Sequence, residues 1–190
     1  MTLAATARAR TWTEEEYLAL PETKPYLELV DGQLTEKCMG DSDHSFLQTE
    51  LVFYLRAYTR RRRSGFVHTE GRARFTRPGR VSADYRLPDI AYFGPAATRV
   101  FEGTKLLNPP TLAIEIRSRS ESFASQREKC RWYLANGVEE CWLVDPASRS
   151  VEIFDASRDG EPLPFDGAIT SKLLPGFRLK LAELFSVLDQ

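Results

Sequence analysis

A charged residue in the middle of an apolar, β-branched run constrains this chain most. Residues 111–118 read TLAIEIRS. With the period-two alternation of a strand, Leu112, Ile114 and Ile116 share one face, and Ala113, Glu115 and Arg117 share the other. An ionised carboxylate is costly to bury unless a partner offsets it. A second run, residues 87–93 (LPDIAYF), carries Asp89 in a similar setting. Two strands that each place one acid near one cleft would make a divalent cation site. The plainer alternative is that Asp89 ends a turn after Pro88 and Glu115 pairs with an arginine.

The 190 residues suffice for one domain with a real core. We expect residues 1–11 as a loose tail and residues 12–190 as a single domain. A net charge of −1 does not advertise a nucleic-acid binder, so any basic surface must be local. No run reaches the roughly 18 apolar residues of a membrane span. The N-terminal MTLAATARARTW has no apolar stretch of the kind a signal peptide needs. Cys38, Cys130 and Cys141 are odd in number and widely spaced, which argues against a disulfide framework and a cysteine zinc site. Cytoplasmic localisation is the simple inference.

In chain order, Thr13 and Glu16 fit a capping box for a short helix ending before Pro21. Residues 26–30 and 33–37 read as a hairpin about Asp31-Gly32, with Glu28 in its first strand. A helix over residues 44–62, capped by Ser42 or Asp43, carries the stripe Leu47, Leu51, Tyr54, Leu55 and Tyr58. His44 begins that stripe, and Gly65 is expected to stop the helix. Residues 66–75 and 86–93 read as strands, residues 94–110 as a long loop, and residues 112–118 as the Glu115 strand. A helix over residues 123–136, ended by Gly137, precedes strands over residues 140–144 and 150–154. Residues 173–179 read as a last strand and residues 182–188 as a closing helix. The pattern points to α/β or α+β around one mixed sheet with a β–α–β crossover.

Asp89 and Glu115 suit Mg2+ or Mn2+, which take oxygen ligands and often bind through one or two carboxylates plus substrate phosphate. Lys129, on the helix after the Glu115 strand, could reach back to hold or deprotonate a water; otherwise it is a solvated lysine. Arg117 could hold a phosphate oxygen, or neutralise Glu115. Its pKa is too high for a base. Glu28 is either a third site acid or an exposed hairpin residue. His44 is either a proton shuttle or phosphate donor, or a half-buried helix-start histidine. His68 and Glu70 read as sheet-face residues, and Arg60 to Arg63 as a solvated helix end. Ser118, Ser120 and Ser122 lack a His–Asp arrangement, and no glycine-rich phosphate loop is present.

Pro88-Asp89 followed by Glu115-Ile116-Arg117 resembles the PD-(D/E)XK motif of restriction-endonuclease-like folds. More specific is the ordered set YLELVDG at 26–32, His44, LPDI at 87–90, AIEI at 113–116, Lys129 with Tyr133, Gly137-Val138, CWLVDP at 141–146 and LPGF at 174–177. Together they resemble the Uma-two family of that nuclease superfamily, over roughly residues 12 to 188. The resemblance implies an α/β fold, a central mixed sheet flanked by helices, with a divalent-metal site at one end. It implies Asp89 and Glu115 as ligands of Mg2+ or Mn2+, Glu28 as an accessory acid, and His44 at a family position without an assigned role. Arg117 stands where the superfamily lysine normally falls. In this family that role moves to the following helix, which points to Lys129. The implied activity is metal-assisted phosphodiester hydrolysis in nucleic acid, DNA foremost. Two other classes stay open. One is a catalytically inactive nucleic-acid-binding domain. The other is a homodimeric or partner-binding module that uses Trp132, Tyr133 and Trp142 as an exposed patch.

Overall fold

The computed structural model describes residues 10–77, 79–80, 82–97, 101–102, 105–106 and 108–189. Residues 1–9 of the expected tail lie outside them. The chain then runs α1 (Glu14–Leu18), β1 (Leu27–Val30), β2 (Gln33–Glu36), α2 (Ser42–Arg62), β3 (Phe66–Thr69), β4 (Arg72–Phe75), β5 (Asp84–Arg86) and β6 (Ile90–Phe93). After β7 (Phe101–Glu102) and β8 (Lys105–Leu106) come β9 (Leu112–Ile116), α3 (Phe123–Ala135), β10 (Glu140–Asp145), β11 (Ser150–Asp155) and β12 (Asp159–Pro162). The chain closes with β13 (Ala168–Ile169), β14 (Leu179–Lys180), α4 (Leu181–Phe185) and a 3-10 turn, Ser186–Asp189.

The central sheet has strand order β12-β11-β10-β9-β6-β3. It is mixed: β9 and β10 run parallel across the α3 crossover, while β6 pairs antiparallel with β9. On one face the stripe Leu47, Leu51, Leu55 and Tyr58 of α2 packs with Ile114, Ile116, Trp142 and α4. On the other, Cys130 and Tyr133 of α3 pack on Ala113, Cys141 and Leu143. The two faces of the 111–118 run therefore feed two different cores, which is why the run is apolar on both sides of Glu115.

A second six-stranded sheet, β2-β1-β5-β4-β8-β7, stands beside the first where one sheet was expected. Two continuous strands of the sequence reading are each divided between the sheets. Residues 66–75 break at Glu70, whose φ of 50° ends the extended run before β4 begins. Residues 86–93 break at Leu87, Pro88 and Asp89, because proline has no N–H for a ladder. Asp89 thus sits at the crossing between sheets, just before β6, and not inside a strand.

Smaller differences have local causes. Asp41 caps α2, its side chain accepting from His44 N at 3.1 Å, in place of Ser42 or Asp43. Arg63 takes the left-handed position at the far end, ahead of Gly65. Within the expected 94–110 loop, β7 and β8 form an antiparallel pair that joins β4. The expected last strand over 173–179 reduces to β14, since Leu174 to Phe177 form a turn closed by Phe177 N donating to Leu174 O. The Asp31-Gly32 hairpin is as expected, both residues having positive φ, 53° and 76°. Trp142 and Tyr133 are buried in the cores and Trp132 is half-buried, so they form no exposed patch.

Candidate active site

The register of β6 and β9 builds the site. Ile90 pairs with Ile114, so Asp89 and Glu115 stand one step further along neighbouring antiparallel segments. Both are almost fully buried, 2% and 3% exposed. Asp89 Oδ2 accepts from Ile116 N at 2.7 Å and lies 3.0 Å from His44 Nε2. Its Oδ1 accepts from Lys37 Nζ at 2.5 Å. Gln48 Nε2 donates to the Asp89 carbonyl at 2.9 Å. Glu115 points to the α3 side, where Lys129 Nζ donates to Oε2 at 3.0 Å and Tyr133 Oη to Oε1 at 2.8 Å. Lys129 and Tyr133 are four apart on α3, so one helical face delivers both.

Glu28 joins from β1. Its Oε1 accepts from Leu87 N at 2.9 Å and lies 3.4 Å from Lys129 Nζ, while Oε2 accepts from Arg86 at 3.0 Å. The structure thus brings together Asp89, Glu115, Lys129, Glu28 and His44. It does not bring Arg117 to them. Arg117 Nε donates to buried Asp145 at 2.7 Å, its other nitrogen to Glu121 O at 2.8 Å, and its guanidinium covers the Phe123 ring. Asp145 is one helix-and-strand away in sequence, which spacing alone could not reveal. Lys37, Tyr133, Arg86 and Gln48 are contacts the sequence reading missed. Tyr133 lay within the motif set, but Lys37 looks like any solvated hairpin lysine.

The electrostatics divide the acids. Burial pushes the Glu115 carboxyl up, and Lys129 and Lys37, opposed by the neighbouring charges of Asp89 and Glu28, do not fully offset it. Burial acts on Asp89 too, but Lys37 and His44 outweigh it and hold Asp89 well below the usual carboxylate range. Glu28 is also lowered, burial being overcome by Lys129 and Arg86. Burial disfavours the Lys129 charge, yet Glu115, Glu28 and Asp89 raise its pKa, so it is a firm ammonium.

Among the described residues no three His, Cys, Asp or Glu side chains form a metal cage. The donor chemistry nevertheless fits a hard cation. A carboxylate oxygen accepts about two hydrogen bonds. Among the described residues, Asp89 Oδ2 has both places filled, by Ile116 N and His44, whereas Asp89 Oδ1 and each Glu115 oxygen accept only one. Two carboxylates with spare lone pairs, the remaining ligands coming from water and phosphate, is how Mg2+ is usually held.

Residues 14–182 match the model of the Uma2 family, described as "Putative restriction endonuclease". A crystal structure of "a putative nuclease belonging to DUF820 from Anabaena variabilis ATCC 29413" is similar, with 26% identity and a TM-score of 0.79 over 93% of this chain and 98% of that one. No curated protein matches the chain.

Proposed function

The chain belongs to the Uma2 family, and on that premise we propose that it is a nuclease that hydrolyses phosphodiester bonds in nucleic acid, DNA foremost, with Mg2+ or Mn2+. The observation that carries this reading is the buried Asp89–Glu115 pair with Lys129 Nζ 3.0 Å from Glu115.

Asp89, through Oδ1, and Glu115 would hold the cation. When bound, a divalent ion supplies an acidified water and neutralises charge on a phosphoryl oxygen. The chain's own groups do the rest. Lys129, held as an ammonium by the acids around it, donates an N–H to orient the attacking water and offsets charge developing on the phosphate. Glu28, fixed by Leu87 N and Arg86, sets the direction of Lys129. His44 and Ile116 N fix Oδ2 of Asp89, and Oδ1, which accepts from Lys37 Nζ, is the oxygen with a lone pair to share with the cation. Arg117 takes no part, because Asp145 and Glu121 O hold it elsewhere.

Lys129 beside Glu115 favours the active reading over an inactive nucleic-acid-binding domain, which the arginine at position 117, in place of a lysine, would suit. No helix among the described residues is long and apolar enough to cross a membrane. Cys38, Cys130 and Cys141 are free thiols, which suits a reducing cytoplasm.

Cleavage of plasmid DNA and of single-stranded DNA and RNA oligonucleotides, with Mg2+, with Mn2+ and with chelator, tests the reading. Cleavage by the wild type with metal, and none by Glu115→Gln, is expected. Cleavage that persists in chelator overturns the metal role. Binding without cleavage under every condition returns the inactive-domain reading.

A further inference from the structure

Lys37 is a buried charge that the chemistry above leaves unused. It follows β2, and its backbone is pinned by Lys37 N donating to Tyr26 O at 2.8 Å. The side chain is only 8% exposed, and Nζ donates to Asp89 Oδ1 at 2.5 Å and to Leu87 O at 2.7 Å. An ammonium has three donors. Two are engaged, and the third is left over among the described residues.

Lys37 also borders both clefts that open on the acids. The larger, about 760 Å3, lies over Glu28 and Lys129, and five acids line it against three bases. The smaller, about 130 Å3, lies over Asp89 and is lined by Lys24, Lys37 and His44 against Asp89 and Glu70, with Gln48 adding an amide. That volume is below the roughly 300 Å3 at which small-molecule sites begin, so it suits a phosphate and not a nucleoside. Charge favours the same assignment: in the small cleft two lysines and His44 face two acids, whereas in the larger one acids exceed bases by two.

We propose that Lys37 is a second lysine of this site: without substrate it neutralises Asp89, and with nucleic acid bound its ammonium holds a non-bridging oxygen of the backbone phosphate in the small cleft. The proposal rests on the nuclease reading. It has a consequence that a merely structural lysine would not have. Lys37 and a divalent cation share Asp89 Oδ1 and repel each other, whereas Lys37 and phosphate attract. Removing the charge must therefore move the two affinities in opposite directions.

The test uses the full chain as wild type, Lys37→Met, Lys37→Gln and Lys37→Arg. Mn2+ binding is read from the electron paramagnetic resonance signal of free Mn2+. Binding of a fluorescent DNA oligonucleotide is read by anisotropy in Ca2+ at several salt concentrations. Lys37→Met is expected to bind Mn2+ about tenfold more tightly. It should bind DNA about tenfold more weakly, with the slope of log K against log salt reduced by about one. Lys37→Arg should keep the wild-type slope. If Lys37→Met does not fold, Lys37→Gln removes the same charge while keeping a donor for Leu87 O. An unchanged salt slope, or weaker Mn2+ binding on loss of the charge, overturns the role of Lys37 and leaves the nuclease reading standing. A wild type that binds no Mn2+ overturns both.

Discussion

Lys129 and Glu115 are fourteen residues apart, yet Nζ of one donates to Oε2 of the other at 3.0 Å. The parallel crossover makes this contact. Strand β9 ends just after Glu115, the chain turns, and α3 runs back over the sheet face that Glu115 shares with Ala113. A lysine on the second turn of α3 is thereby placed over the strand. Arg117 belongs to a different ion pair, with Asp145.

Lys129→Met should separate cation binding from chemistry. The two acids keep their oxygens, so Mn2+ affinity should be retained or increased, while cleavage falls by about a hundredfold or more. Stability should also fall, by about 3 kcal/mol at pH 7, because Glu115 and Glu28 remain buried without that cation. The Glu115 carboxyl already titrates above its ordinary value, and the variant raises it further. A carboxyl raised in the folded state destabilises above its folded pKa. The penalty should therefore shrink as pH falls through that raised value. Urea unfolding at pH 7 and pH 5 measures the difference, and an equal loss at both would contradict it.

Asp89→Asn should abolish Mn2+ binding and cleavage while the protein still unfolds cooperatively. Asparagine can still accept from Ile116 N, so the crossing between the sheets survives. The buried Lys37 loses its counter-charge, which should cost about 3 kcal/mol. Titration with Mn2+ beside a thermal melt checks both parts. Retained metal-dependent cleavage would remove Asp89 from the site.

Arg117→Ala should act on stability far more than on chemistry. It strands Asp145, which is 1% exposed, and uncovers Phe123. A loss of about 3 kcal/mol is expected. Cleavage per folded molecule should change by less than about tenfold, since a phosphate ligand would account for a larger loss. A hundredfold drop in cleavage with normal stability would restore the phosphate-binding role.

Glu14→Gln should give a pH-dependent loss of stability away from the site. Glu14 ties α1 to the second sheet, accepting from Arg74 Nε at 2.7 Å and Tyr85 Oη at 2.7 Å. The hydrogen bond from Arg74 holds its carboxyl down at about 2, against a burial effect in the other direction. A lowered carboxyl stabilises above its unfolded value near 4.5, and the contribution is lost as pH falls towards 2. After allowance for partial exposure, wild type and variant should differ by about 1–2 kcal/mol at pH 7. The gap should close in acid, and denaturant unfolding between pH 7 and pH 2.5 reads it.

The sequence by itself determined the elements and the acids. Apolar alternation marked β9, the 4-4-3 spacing of Leu47, Leu51, Leu55 and Tyr58 marked α2, and Asp31-Gly32 marked the first hairpin, because these signals are local. Asp89 and Glu115 stood out because charge is rare in such runs. Only the tertiary structure decided how the charges pair. Two sheets arose where one was expected, since Pro88 and the positive φ of Glu70 divide runs that look continuous. Arg117 went to Asp145, Lys129 to Glu115 and Glu28, and Lys37 to Asp89. Long cationic side chains reach across several strands, so their partners depend on which elements the folded sheet places side by side, and residue spacing does not carry that information.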